Sequence, residues 1–103
     1  DSLIADPDAA CPGEVITLTA HPSSSLYEYK FKWTPTGTTS WANISGFGGW
    51  LNNNTNPQYG PIYQDTDFRV KIRNSMNSSC VTGWETITIP VNIIPITGPI
   101  WHN

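Results

Sequence analysis

Hydrophobic and polar residues alternate with period 2 in several short runs, which is the spacing that places successive side chains on opposite faces of a strand. From Val15 to Ala20, Ile16, Leu18 and Ala20 fall on one face and Val15, Thr17 and Thr19 on the other. Tyr27, Tyr29, Phe31 and Trp33 alternate with Glu28, Lys30 and Lys32, so this third run turns four aromatics inward and three charges outward. Phe68, Val70 and Ile72 alternate in the same way with Arg69, Lys71 and Arg73 after a turn at Asp65 to Asp67. Weaker runs fill the gaps: an edge strand at Leu3 to Ala5 stopped by Pro7, a short strand at Ser40 to Ile44 with Trp41, and a strand from Gln58 to Tyr63 broken at Pro61. A last strand from Trp84 to Ile94 holds Ile87, Ile89, Val91 and Ile93 in register. About seven strands are expected, joined by Gly- and Asn-rich turns, with residues 45 to 57 as one long loop or irregular edge.

Composition agrees with this pattern. Nine prolines and eight glycines beside scant Ala, Leu, Glu and Lys leave little from which to build a helix. The 103 residues suffice for one domain, with residues 1–10 as lead-in or edge strand and 95–103 as a C-terminal extension. Seven short strands, the third aromatic and containing a Trp, predict an all-β fold, an immunoglobulin-like antiparallel β-sandwich. A net charge of −3, with the five Lys and Arg confined to one side of strand-like runs rather than clustered, points away from nucleic acid. No apolar run reaches the roughly 18 residues of a membrane helix, and no leader-like segment precedes Asp1, so the expectation is a mature or excised soluble piece.

The segment Cys11-Pro12-Gly13-Glu14 with Thr17-Leu18-Thr19-Ala20, the Phe31-Lys32-Trp33 strand, the Thr66-Asp67-Phe68-Arg69-Val70 strand and Cys80 resemble the bacterial Ig-like repeats of large secreted and surface proteins of the Bacteroidetes, which are associated with type IX secretion. The resemblance covers roughly residues 11 to 94 and implies an extracellular or cell-surface spacer, adhesion or assembly role without catalysis. Residues 45 to 57 and the extension past the last strand depart from the family pattern.

An oxidising compartment favours pairing Cys11 with Cys80, and closing a loop of about 70 residues would contribute roughly 4 kcal/mol in the chain-entropy model. The strand order of an Ig sandwich places these two cysteines at opposite ends, so pairing between neighbouring copies stands beside the expected intradomain bridge. Candidate glycosylation positions are the sequons at Asn43, Asn53 and Asn77, and Ser2 in Asp1-Ser2-Leu3, which resembles a short O-glycosylation motif of exported Bacteroidetes proteins.

Catalytic patterns are absent: His21 and His102 lack zinc-ligand spacing, and Ser23 to Ser25 beside His21 form no nucleophile elbow. Asp6 with Asp8 and Asp65 with Asp67 read as turn aspartates rather than calcium ligands, and no metal or cofactor is expected. Trp41, Phe47 and Trp50 near Asn53 offer flat rings beside amides, the composition of a sugar-binding surface, against the alternative that they cover the ends of a small sandwich. The apolar extension with Ile94, Ile96, Ile100 and Trp101 is the sharper signal, because a tail that pairs with or packs on the next subunit turns a module into an array or filament. The expected partners are copies of the chain or neighbouring domains, with surface glycans as the alternative.

Overall fold

The computed structural model describes residues 2–44, 50–52 and 56–93. The candidates Phe47, Asn53, Ile94, Ile96, Ile100, Trp101 and His102 lie outside the described residues. The fold is all-β. Its strands are β1 (Ser2–Asp6), β2 (Glu14–His21), β3 (Tyr27–Pro35), β4 (Ala42–Asn43), β5 (Leu51–Asn52), β6 (Gln58–Ile62), β7 (Thr66–Asn74) and β8 (Glu85–Ile89). They form two antiparallel sheets, β1-β2-β6 and β4-β3-β7-β8, with β5 also pairing onto β3.

The alternation sets which faces meet. Ile16, Leu18 and Ala20 of β2 are fully buried, joined by Leu3 and Ala5 of β1 and Ile62 of β6. The second sheet answers with Tyr29 and Phe31 of β3, Phe68, Val70 and Ile72 of β7, Ile89 of β8 and Ile44. The Leu, Ile, Val and Phe side chains among them contribute about 1.5–3 kcal/mol each on burial, which identifies this inter-sheet layer as the source of stability. Tyr29 is buried entirely, and its phenol is satisfied at the sandwich end, donating to the Pro22 carbonyl at 2.7 Å and accepting from the Ser24 N–H at 3.1 Å.

Tyr59 from β6 closes the layer, stacking on Trp33 at 4.4 Å between centroids and meeting Phe68 edge-on at 5.8 Å. Burial raises its pKa above the ordinary 10.0. The folded state favours the neutral phenol, so its contribution is complete below that value and is lost as the pH rises through the raised one. Urea titrations across the alkaline range should show Tyr59→Phe with a flatter decline of stability than the parent; coincident declines would show that this phenol carries no linkage.

Several expectations need correction. The last strand ends at Ile89, because Pro90 has no N–H for the ladder. Val91 bridges Ala10 in parallel instead, with the Ala10 N–H on the Pro90 carbonyl at 2.9 Å and the Asn92 N–H on the Ala10 carbonyl at 2.8 Å, and Ile93 is exposed. Pro61 does not break its strand, since β6 is an edge strand and tolerates a missing donor. Thr66 and Asp67 belong to β7 rather than to the turn before it, and the strand around Trp41 shrinks to Ala42–Asn43.

Cys11 and Cys80 are free. Cys80 accepts from the Asn74 N–H at the end of β7, whereas Cys11 follows Ala10, which bridges Val91 just beyond Ile89, the partner of Thr66 at the start of β7. A nine-residue strand at about 3.3 Å per residue holds the two roughly 25 Å apart, far beyond the ~7 Å Cα limit for a bridge. The same geometry separates the ends of the described chain. Ser2 pairs with His21 at the pole of Pro22 and Asn74, and residues 91–93 leave at the opposite pole.

Candidate functional site

Pairing of β3 with β7 builds the one chemically distinctive surface among the described residues. The register sets Glu28 opposite Arg73, Lys30 opposite Lys71 and Lys32 opposite Arg69. Phe31, Val70, Phe68 and Ile72 point inward, so by period 2 these charged residues all point outward. Every Lys and Arg of the chain therefore lies on one face of one sheet. Their spread along two sequence segments concealed a cluster in space.

Three tryptophans cover this face. Trp41 precedes β4 and Trp50 precedes β5, both on the β3 side, while Trp84 precedes β8 on the far side of β7. The Arg69 guanidinium lies between two indoles, 4.1 Å from the Trp41 centroid and 4.0 Å from that of Trp84. Lys71 Nζ approaches Trp84 at 4.6 Å, and Trp50 receives Arg73 at 4.3 Å and Lys30 at 5.2 Å. Such contacts contribute about 0.5–2 kcal/mol each, rising with desolvation. Burial lowers the pKa of Arg69, whose Nε is sealed without a hydrogen-bond partner, yet a guanidinium stays cationic in such a setting.

The acids on this face are engaged. Glu28 Oε1 accepts from Arg73 Nε at 2.7 Å, and Asp67 Oδ1 accepts from the hydroxyls of Thr36 at 2.6 Å and Thr88 at 2.7 Å. Among the described residues Lys30, Lys32 and Lys71 have no carboxylate partner. Lys30 opposite Lys71 and Lys32 opposite Arg69 are like-charge pairs directly across the ladder, an arrangement that costs a few tenths of a kcal/mol or more per pair.

The structure brings Trp41 and Trp50 of the expected sugar-binding set onto this face, with Asn43 exposed opposite Lys32. It does not leave the rings bare, because each is faced by a cation. Trp84 and the basic residues were missing from the expectation. The signal that finds them is the matching phase of the two charged strands, combined with the assumption that they are neighbours. Ser2 lies exposed on edge strand β1, and Asn77 is exposed in the turn after β7, its Oδ1 accepting from the Ser79 N–H at 3.1 Å. Asp65 accepts from the Val91 N–H at 2.8 Å, which gives this turn aspartate a structural role. His21 is exposed at the end of β2, and Ser24 Oγ accepts from the Leu26 N–H at 3.1 Å. An open depression of about 410 Å³ lined by Tyr27, Arg73, Cys80 and Thr82, among others, brings no histidine or carboxylate to the thiol.

No family model, curated protein or solved structure matches this chain.

Proposed function

We propose that this chain is an immunoglobulin-like module that works outside the cell as a non-catalytic structural unit, joined through its terminal segments to copies of itself or to neighbouring domains in an array, filament or adhesive layer. The observation that carries the reading is the polar separation of the chain ends: the described chain enters beside His21 and leaves beyond Val91 at the opposite pole. Modules entered at one end and left at the other string together without folding back, and repeated end contacts that do not close give open assemblies. The strand order, with β1, β2 and β6 facing β4, β3, β7 and β8, supports the Ig-like reading, as does the resemblance of the segments around Cys11, Trp33 and Phe68 to extracellular Ig-like repeats.

Deleting Pro95 to Asn103 tests it. The full chain should form assemblies visible by light scattering and electron microscopy, and the shortened chain should keep the melting temperature of the parent and form none. Unchanged oligomerisation would reject assembly through this segment.

Carbohydrate binding is the second reading, favoured by the placement of Trp41 and Trp50 on one sheet face.

A further inference from the structure

We infer that the outer face of the β4-β3-β7-β8 sheet binds an acidic polysaccharide, a sugar polymer carrying carboxylate or sulfate groups. The inference rests on the carbohydrate reading and names the ligand class. Its foundation is the pair of like-charge rows. Lys30 faces Lys71 and Lys32 faces Arg69 across neighbouring strands. Of the eight acidic residues, Glu28 and Asp67 share this face, and both are engaged, Glu28 by Arg73 and Asp67 by the Thr36 and Thr88 hydroxyls, so neither neutralises the opposed pairs. Opposed cations with no carboxylate between them are complementary to an anion laid across both rows.

The rest of the face narrows the anion. Asn43 and Thr86 place an amide and a hydroxyl in line with the charged rows, opposite Lys32 and Arg69, where sugar hydroxyls would meet them. Half-buried Trp41, Trp50 and Trp84 flank the rows. Arg69 and Arg73 already occupy faces of Trp41, Trp84 and Trp50, so recognition here rests on the cation rows and on hydrogen bonds to Asn43 and Thr86 rather than on ring stacking, which disfavours a single strand of nucleic acid held by its bases. A second copy fits less well. The outer face of the other sheet presents Ile4, Val15, Thr17 and Thr19, with its acids Asp6 and Glu14 at one end, so among the described residues no flat acidic surface lies there to match two rows of cations.

The test uses the full chain with polygalacturonate and with the same polymer fully methyl-esterified, followed by affinity electrophoresis and tryptophan fluorescence. The acidic polymer should bind at least about tenfold tighter at low salt, and the difference should shrink towards 0.5 M salt as roughly 4 Å screening lengths take over. The double substitution Lys30→Gln, Lys71→Gln should weaken binding by about tenfold or more while the chain still unfolds in one cooperative transition, since the relieved repulsion and the lost contacts with Trp50 and Trp84 act on stability in opposite directions. Equal binding of both polymers would overturn the charge inference and leave the carbohydrate reading standing; binding of neither would overturn both. Unchanged affinity in the double variant, binding of single-stranded DNA in place of either polymer, or self-association without polymer binding would likewise overturn the inference.

Discussion

Phe68→Ala should cost about 4 kcal/mol and lower the melting temperature by roughly 20 °C, the largest single effect expected in this chain. Phe68 is fully buried at the centre of the inter-sheet layer. Across the ladder it faces Trp33 of β3 and Ile87 of β8, and Tyr59 of β6 presents its ring at 67° to it across the layer. Truncation removes the ring's transfer energy and leaves a cavity that two paired strands cannot collapse around. A small domain has about 5–15 kcal/mol in total, so most of the margin would go. Phe68→Leu, which keeps most of the volume, should cost closer to about 1 kcal/mol. Thermal melts of both variants decide it: a loss for Phe68→Ala as small as that for Phe68→Leu would show that the layer is not packed as described.

The second large effect comes from a backbone contact. Gly60 in β6 has φ +150°, and a Cβ added there would lie 2.8 Å from the Glu14 carbonyl oxygen and 2.8 Å from Val15 Cα. Both atoms are backbone of β2, so no side-chain rotation relieves the clash. The contact coincides with the register shift between Glu14 and Ile16 where β2 meets β6. Gly60→Ala must push the edge strand away, at a cost on the order of 3 kcal/mol. Gly37 provides the comparison: its φ is +93°, with nothing within 4 Å of the added atom, so Gly37→Ala carries the conformational strain without the clash. Gly60→Ala should be the more damaging of the two in urea unfolding, and equal losses would contradict the close approach of β6 to β2.

The sequence revealed strands better than it revealed their neighbours. β2, β3 and β7 were legible because each alternates cleanly, and burial of Ile16, Leu18, Phe31, Val70 and Ile72 follows that alternation residue by residue. β8 was read too long because Val91 and Ile93 continue the period-2 pattern, and periodicity does not register that Pro90 lacks a donor or that Ala10 is there to pair. The basic face was invisible for a different reason. Alternation shows that Lys30, Lys32, Arg69, Lys71 and Arg73 point away from the core, but only lateral pairing of β3 with β7 makes them one surface. Of the aromatic set, Trp41 and Trp50 share a face, while the cations over their rings and the third indole, Trp84, come from segments distant in sequence.

That surface is the structural claim on which the binding inference depends, and nuclear magnetic resonance tests it most directly. Arg69, held 4.1 Å and 4.0 Å from the centroids of Trp41 and Trp84, should show side-chain methylene protons shifted upfield by ring currents, with Overhauser contacts to both indoles. Arg69 protons at ordinary, unshifted positions with no contact to either ring would contradict the packing of Trp41 and Trp84 over the basic face.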